Sequence, residues 1–436
     1  MTPRLAWYGD DFTGASDTLA TLASAGLRAL LFLHVPTPAQ LARAGELDAL
    51  GIAGTARALA PDAMRAELAP VADFLDGLQV PVTHYKCCST FDSAPPVGNL
   101  AVGLQALRRS RHDRFVPVLG GQPSLGRYCA FGELFATASA GGEVHRIDRH
   151  PTMSRHPVTP MLEADLRRHL AALGLPRVAL IDLRALDEAD DASLETTLDV
   201  RLADAPDAVL WDTTRPTHLA RIGRIVWQRA ERRPLLALGA SSVAQALIAQ
   251  WQELGLAPRV APLVPVAPAE GPVFLLVGSL SPVTAAQVAA AGAAYDLVPL
   301  DVGALLEGGR ALESLVAACA SRLAAGRPVL ARTDAPRDGG PPPLAVAQAC
   351  GRLLAHVLHR APQVRRVGVA GGDTSSFALR ELGPWALRWI GSLAAGVPLK
   401  RVHADDPALD GLELMLKGGQ MGPLDTFVRL LRGVSG

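Results

Sequence analysis

Three acidic residues stand near the N terminus, where a short apolar strand is predicted to give way to a helix. Asp10 and Asp11 follow the strand predicted at residues 5–8, and Asp17 lies in the helix predicted over residues 16–25. Parallel α/β sheets bind ligands at the carboxyl ends of their strands. Carboxylates at such an end can orient hydroxyl groups, hold a metal ion or remove a proton. The alternative is that Asp11 or Thr13 caps the helix and the other acids are solvated.

A second polar group follows a strand predicted at residues 80–84. Lys86, Ser89 and Thr90 place an ammonium group and two hydroxyl groups at another strand end, where they could contact a ligand. Cys87 and Cys88, which lie between them, are interpreted as small buried residues rather than nucleophiles.

Residues 146–157 form a proline-containing segment with three arginines and two histidines. Such a segment cannot be helical throughout, and guanidinium groups are suited to binding carboxylates. We therefore predict that Arg149 and His150 bind an anionic ligand. The sequence leaves two alternatives, a loop cross-linked by surface ion pairs and a zinc site formed by His145, His150 and His156. The zinc alternative lacks supporting cysteines or carboxylates at suitable spacing, so no metal site is predicted.

Three glycine-containing turns share one design, because each follows a predicted strand and precedes a predicted helix. Glycine lets the backbone approach a phosphate, and the free N–H groups at a helix start complement its charge. Together the turns favour nucleotide binding over routine α/β turns. No GxxxxGK[ST] or GxGxxG pattern occurs at them, which argues against a P-loop kinase and a standard Rossmann dehydrogenase. The predicted nucleotide-binding residues are Ser279, Gly371, Gly372, Asp373, Thr374, Lys417, Gly419 and Gly422.

Short apolar runs alternate with helical patterns along the chain, which predicts an α/β protein with mainly parallel sheets. Five prolines between residues 256 and 272 interrupt this alternation. We predict an N-terminal domain at residues 1–256, a linker at 257–272 and a C-terminal domain at 273–436. Within the first domain, Thr159 and Pro160 are predicted to start a helix whose core stripe includes Leu162 and Leu166. Residues 332–343 are predicted to form a surface loop.

The composition excludes several classes of function. The 436 residues carry 42 basic and 42 acidic side chains, so a general nucleic-acid binder is not expected. Five cysteines without a CxxC pair are typical of a reducing compartment. The N terminus does not resemble a signal peptide, and no apolar run approaches the ~20 residues of a membrane span. We therefore predict a cytoplasmic protein without a membrane partner.

The motifs together resemble those of the four-carbon acid sugar kinase family. Residues 9–17 (GDDFTGASD) resemble its A-D-D-x-T-G-A-x-D motif, and residues 278–281 resemble its G-S-x-S turn. Residues 371–374 resemble its G-G-[DE]-T segment, and residues 416–422 (LKGGQMG) its L-K-x-G-N-F-G. The resemblance implies a kinase that uses ATP and Mg²⁺, with a sugar-acid-binding N-terminal domain and a nucleotide-binding C-terminal domain. Each domain would have a mainly parallel sheet flanked by helices, with the active site in the interdomain cleft.

The same resemblance suggests roles for the polar residues of the first domain. Asp11 is predicted to accept the proton of the reacting hydroxyl, with Asp10 and Asp17 as substitutes. Lys86, Ser89 and Thr90 would face the sugar acid. The family reads K-x-D-S-T-L-R-G-N where this chain has Cys88 in place of the Asp and Asp92 in place of the Arg. We interpret this as a divergent subgroup whose substrate is not a plain tetronate. The resemblance as a whole implies a small sugar acid as substrate, either a four-carbon tetronate or 3-oxo-tetronate or branched 3-oxo-isoapionate.

Two other functions are carried as alternatives. One is a non-catalytic sensor that binds a sugar acid and a nucleotide, and the other is an NAD(P)-dependent dehydrogenase with a nonstandard turn. A homodimer is an option that the sequence leaves open.

Overall fold

The computed structural model describes residues 2–138, 141–260, 264–333 and 342–435. The chain divides into two compact units, residues 1–262 and residues 263–436. Both units combine a largely parallel sheet with helices, so the predicted α/β class is confirmed. No helix within the described ranges is long and apolar enough to cross a membrane.

The first unit is built on eight parallel strands in the order β2-β3-β1-β4-β11-β5-β10-β9. Its central strands β1, β4 and β11 are fully buried, as expected when helices cover both faces of a sheet, and β1 and β11 are largely apolar. The elements of the main sheet and its helices are β1 (Leu5–Gly9), α1 (Phe12–Ser24), β2 (Ala29–Phe32), α2 (Pro38–Ala44), β3 (Ala49–Ala53), α3 (Pro61–Gly77), β4 (Val82–Lys86), α4 (Leu100–Leu107), β5 (Pro117–Leu119), α5 (Leu166–Leu173), β9 (Val178–Ile181), α6 (Leu183–Glu188), α7 (Asp191–Ala203), β10 (Ala208–Trp211), α8 (Pro216–Arg232), β11 (Leu235–Gly239) and α9 (Ser242–Glu253).

A small antiparallel sheet is inserted between β5 and α5. It consists of β6 (Arg127–Ala130), β7 (Glu133–Thr137) and β8 (Val144–Arg146), in that order. The buried carboxylate of Asp212 accepts bonds from the main-chain N–H groups of Phe131 (2.5 Å) and Gly132 (2.9 Å). This contact fastens the β6–β7 turn to the carboxyl end of β10.

The prediction that a helix begins at Thr159 and Pro160 is wrong. Helix α5 begins at Leu166, with Asp165 as its N-cap. The preceding residues are extended because Leu134 N–H donates to Ala164 O (2.9 Å) and Leu166 N–H donates to Gly132 O (2.9 Å). Pairing with β7 thus outweighs the local helix signal, and Leu162, predicted to be core, is 74% exposed.

The second unit has seven strands in the order β13-β14-β12-β15-β18-β17-β16, of which the last two run antiparallel to their neighbours. Because β12, β15 and β18 are adjacent and parallel, their carboxyl ends meet at one edge. The elements are β12 (Val273–Val277), α10 (Pro282–Ala291), β13 (Asp296–Leu300), α11 (Val302–Glu307), α12 (Gly309–Ala324), β14 (Val329–Thr333), α13 (Pro343–Arg360), β15 (Arg366–Ala370), α14 (Gly372–Leu382), β16 (Ala386–Ala394), β17 (Val397–His403), β18 (Glu413–Lys417) and α15 (Thr426–Arg432).

Part of the predicted linker packs on the second unit. The main chains of Val266 and Val434 exchange two hydrogen bonds (3.0 and 2.8 Å), and Ala269 N–H donates to Leu431 O (2.8 Å). The limits of the linker stay a prediction, and Pro262 lies outside the described residues. Most of the loop predicted at residues 332–343 also lies outside them, whereas Arg332 and Thr333 end β14.

Candidate active site

The polar residues of the first unit lie where the strand order changes direction. The chain leaves β1 toward β2 and β3 on one side and returns to form β4 on the other. Asp10 N–H donates to Lys86 O (3.0 Å), and Arg57 N–H donates to Asp10 O (3.0 Å). The carboxyl ends of β1, β3 and β4 are thereby joined through the main chain. Open α/β sheets bind their ligands at such a switch point.

Asp11 is held from two sides. Its Oδ1 accepts the Gly14 N–H at 2.9 Å, which makes it the N-cap of α1 and starts the helix at Phe12 rather than at Ser16. Its Oδ2 accepts from Arg57 Nη2 at 2.5 Å. The capping alternative is therefore confirmed for Asp11. The side chain is still 18% exposed, so a ligand can reach the carboxylate.

Asp10 and Lys86 are buried beneath this pair, with 1% and 3% exposure. Burial, followed by the charge of Asp11, raises the pKa of Asp10 to about 7, against the opposing charges of Lys86 and Arg57. Burial lowers the pKa of Lys86, but the carboxylates of Asp10 and Asp11 outweigh it and the net shift is upward. Lys86 Nζ donates to Cys87 O at 2.6 Å. Two buried ionisable groups therefore stand behind the exposed carboxylate.

Asp17 faces a neighbouring part of the same sheet edge. Its Oδ2 accepts from Ser241 Oγ (2.5 Å), which follows β11, and from Gln122 Nε2 (3.3 Å), which follows β5. Ser241 Oγ also lies 2.9 Å from Thr18 Oγ1. The structure thus connects Asp17 to Ser241 and Gln122, which no motif in the sequence marks as functional.

The segment that departs from the family motif forms a tight, buried turn. The Thr90 hydroxyl donates to the carboxylate of Asp92, and Cys88 Sγ lies 2.9 Å from Thr90 Oγ1. Burial, followed by the charge of Asp92, raises the pKa of the Cys88 thiol to about 12, so the thiol is protonated. Phe91 has a left-handed backbone (φ 55°), and its carbonyl lies 3.1 Å from His169 Nε2. Ser89 is half-buried in the same turn.

Arg149 and His150 take part in none of the contacts described above. Arg149 is exposed. The His150 ring lies 3.3 Å from Thr137 O through Nε2, and its Nδ1 accepts from the N–H groups of Thr152 and Met153 at 3.1 Å. Within the described ranges, no hydrogen bond or ion pair joins either residue to the Asp10–Lys86 cluster. These contacts describe a structural loop, and anion binding by the two residues stays a prediction.

In the second unit, the three glycine turns lie side by side after β12, β15 and β18. Ser279 N–H donates to Ala370 O (3.1 Å), and Gly371 N–H donates to Lys417 O (2.9 Å). Ser281, the N-cap of α10, donates through its hydroxyl to Gly419 O. A Cβ at Gly419 would lie 2.6 Å from Ser279 Oγ, so a larger residue there would displace the Ser279 hydroxyl. The turns share one edge, as their common design suggested.

Helix α14 begins at this edge without a side-chain cap. Gly371 occupies the N-cap position with φ 129°, which favours glycine, and no side chain bonds the first N–H groups. Gly372 and Asp373 are exposed in the first turn, and Thr374 is buried. Unpaired N–H groups at the start of an 11-residue helix can bind a phosphate. Gly422, with φ 83°, lies at the end of the turn after β18.

Lys417 lies beneath the turns rather than among them. It is 1% exposed, and its Nζ donates to Thr284 Oγ1 (3.1 Å) and Gly418 O (3.0 Å). Burial lowers its pKa to about 8. Gln287 Nε2 bonds the carbonyls of Met421 (3.0 Å) and Gly422 (2.9 Å). Lys417, Thr284 and Gln287 therefore hold the third turn in shape.

The described parts of the chain contain no group of three His, Cys, Asp or Glu side chains arranged to hold a metal ion. Asp373 is the acid in the first turn of α14.

Two family models match consecutive parts of the chain. The model described as a sugar-binding N-terminal domain matches residues 5–247, and the one described as a nucleotide-binding C-terminal domain matches residues 274–427. The first match contains the charged residues around Asp11, and the second contains the three glycine turns.

Curated relatives match along nearly the whole chain. A 3-oxo-isoapionate kinase of Paraburkholderia graminis is 39% identical over 98% of this chain and 94% of its own. A 3-oxo-tetronate kinase of Methylobacterium radiotolerans is 31% identical over 99% of both chains. A solved structure from Salmonella typhimurium LT2 has a TM-score of 0.81 at 24% identity over 98% of both chains, and one from Haemophilus influenzae has a TM-score of 0.79 at 22% identity over 98% of both chains. The two solved structures share the fold.

Proposed function

The chain belongs to the four-carbon acid sugar kinase family and is a sugar-acid kinase, and we propose that it transfers the γ-phosphoryl group of ATP to a hydroxyl group of 3-oxo-isoapionate. One observation carries the choice of acceptor. The 3-oxo-isoapionate kinase is 39% identical to this chain, whereas the 3-oxo-tetronate kinase is 31% identical, each over nearly the full length. A 3-oxo-tetronate is the second candidate. Neither the sensor nor the dehydrogenase alternative is supported by these relatives.

The first unit is proposed to bind the sugar acid and to take up its hydroxyl proton. Asp11 is the proposed proton acceptor, because its carboxylate is exposed and fixed by Gly14 N–H and Arg57. Asp10 and Lys86 are proposed to tune the electrostatic potential at the Asp11 carboxylate. Ser89, Thr90 and Asp17 are proposed to contact the hydroxyl groups of the acceptor, with Ser241 and Gln122 fixing Asp17.

The second unit is proposed to bind ATP through main-chain groups. The N-terminal N–H groups of α14 and the turns at Ser279 and Gly419 support a phosphate site there. Mg²⁺ is proposed to arrive with ATP as part of the substrate, and Asp373, the acid in the first turn of α14, would help to hold it. Catalysis would then rest mainly on positioning and charge neutralisation, as is usual for phosphoryl transfer. A reaction in a cleft between the domains stays a prediction.

The proposal is tested by measuring ADP release from Mg-ATP with tetronates, 3-oxo-tetronates and 3-oxo-isoapionate. We expect release that depends on the acid, with the highest kcat/KM for 3-oxo-isoapionate. A higher value for a 3-oxo-tetronate would contradict the choice of acceptor and retain the kinase. ATP binding without ADP release for any acid in the panel would contradict the proposed acceptors.

A further inference from the structure

Arg127 begins β6 and has a guanidinium group that the protein only partly uses. Its Nη1 donates to Leu125 O (2.7 Å), Thr137 Oγ1 (3.2 Å) and Thr137 O (3.5 Å). Its Nε is shielded from solvent and has no hydrogen-bond partner among the described residues. Nor does any carboxylate of the described chain form an ion pair with this guanidinium. A shielded charged donor without a partner costs free energy, which a ligand that binds the group would recover.

Arg167, on the neighbouring α5, shows what a fully used guanidinium looks like here. Its Nε and Nη2 donate to the two oxygens of Asp165 at 2.9 and 2.6 Å. These are the nitrogens that a carboxylate normally binds as a pair. Among the described residues, Nε and Nη2 of Arg127 bond no group, because the bonds that its guanidinium forms there go through Nη1. Burial lowers the pKa of Arg127, as expected for a charge without a counter-ion.

Arg127 is tied to the acidic cluster of the first unit. The main chains of Arg127 and Gln122 exchange two hydrogen bonds (2.9 and 3.2 Å), and the Gln122 side chain donates to Asp17 Oδ2 (3.3 Å). These contacts connect the start of β6 to Asp17 through Gln122.

The charges of the cluster show why another cation is needed. Asp10, Asp11, Asp17 and Asp92 bring four carboxyl groups to this edge. Arg57 is paired with Asp11, and the charge of Lys86 is balanced by Asp10 and Asp11. An acceptor that carries a carboxylate would be repelled by such a site unless a cation without a counter-ion received it.

We propose that Arg127 binds the carboxylate of the sugar-acid acceptor, through guanidinium nitrogens that bond no other group in the part of the chain that the structure describes. This deepens the proposed function and rests on it, since it identifies how the site selects an acid. The reacting hydroxyl would then lie on the Asp11 side and the carboxylate on the Arg127 side. Arg127 is thereby a specificity-determining residue of the first unit.

The test compares 3-oxo-isoapionate with its primary amide, which keeps the hydroxyl groups and lacks the negative charge. Binding of each is measured by calorimetry without ATP. In the wild-type protein we expect the acid to bind at least tenfold more tightly than the amide. In Arg127→Gln the acid should lose about 100-fold in affinity, the amide little, and the preference should disappear. Arg167→Gln, which removes a guanidinium already paired with Asp165, should retain the wild-type preference.

Arg127→Lys covers the case in which the glutamine variant fails to fold, because it keeps the charge and can still reach Leu125 O. It should weaken acid binding about tenfold and leave amide binding unchanged. Wild-type affinity for the acid in both variants, or equal wild-type affinity for acid and amide, would overturn the proposal. A wild-type protein that binds the acid and releases no ADP would contradict the proposed function, while the acid-to-amide comparison would still decide the role of Arg127.

Discussion

The first unit presents charged side chains at the carboxyl ends of β1, β3 and β4. The second unit instead presents glycines, hydroxyl groups and main-chain N–H groups after β12, β15 and β18. Asp10, Asp11, Arg57 and Lys86 form one electrostatic cluster, in which Asp10 and Lys86 are buried. In the second unit Lys417, at the end of β18, is bonded to Thr284 and Gly418 beneath the turns. In each unit the site lies at the carboxyl ends of parallel strands, but the two sites differ in the chemical groups that they present.

The difference follows from what each site is proposed to bind. A polyphosphate presents many equivalent oxygens, which the N–H groups at a helix start can bind without a specific side chain. A sugar acid presents one carboxylate and several hydroxyl groups, which only directed side chains distinguish. Side-chain changes in the first unit should therefore affect chemistry and acid binding, and backbone changes in the second should affect ATP binding.

The largest expected effect is that of Asp11→Asn. Asparagine can still accept the Gly14 N–H and cap α1, so the fold should be retained. It cannot accept a proton, and we expect kcat to fall by about 10²–10⁴-fold with little change in the KM for ATP. Steady-state ADP release measures both constants.

Asp62→Asn provides the control, because Asp62 is a fully exposed acid in the first turn of α3. It should keep the wild-type kcat. Wild-type turnover in Asp11→Asn would remove Asp11 from the proton-accepting role and direct attention to Asp10.

A smaller effect is expected from Gly419→Ala in the second unit. The new methyl group would lie 2.6 Å from Ser279 Oγ and displace this hydroxyl group from its position between the turns. Because the hydroxyl can rotate, the cost should lie near the lower end of the roughly 1–3 kcal/mol of overpacking, and we expect the KM for ATP to rise about fivefold. The affinity for the sugar acid, measured without ATP, should not change.

Gly418→Ala is the matched control on the same turn, since its methyl group would meet Met421 Cγ at an ordinary distance of 3.4 Å. Its KM for ATP should stay within about twofold of wild type. Equal effects of the two substitutions would show that the close approach of the turns does not matter for ATP.

The local parts of this comparison could be predicted from the sequence. A buried apolar run followed by glycine and a helix start is a short-range pattern, so the three turns of the second unit were found with their strands. The acids at residues 10, 11 and 17 were selected for the same reason. The helix predicted at Pro160 shows the limit, because its local signals were outweighed by pairing with β7, a contact that short-range pattern does not contain.

The partners of the acids could not be predicted, because they come from distant segments. Arg57 is 46 residues from Asp11, and Ser241 is 224 residues from Asp17. A single arginine or serine in a loop has no distinguishing signal in one sequence. The role proposed for Arg127 could not be predicted either, because only the folded chain shows which of its guanidinium nitrogens lack a hydrogen-bond partner. The strand order brings these loops together at one edge of the sheet, and this order cannot be read from the sequence alone.

The smallest expected effect is a difference in how the stability of each unit depends on pH. The pKa of Asp10 is raised from 3.8 to about 7, so between about pH 4 and 7 the native state retains a proton that the unfolded chain has released. Stability should therefore fall as pH rises through this window. The pKa of Lys417 is lowered from 10.5 to about 8, so between these values the unfolded chain binds the extra proton and stability should rise with pH.

Each slope is at most about 1.4 kcal/mol per pH unit, which corresponds to roughly 3–6 °C per pH unit in the unfolding midpoint of a unit of this size. Thermal unfolding of Asp10→Asn should lack the decrease between pH 4 and 7, and that of Lys417→Met should lack the increase above pH 8. Because each variant removes one slope and leaves the other, the two serve as controls for one another. Parallel pH profiles in both variants and the wild type would mean that neither buried charge is as isolated from solvent as its position implies, and the contrast between the two sites would then rest on their ligands alone.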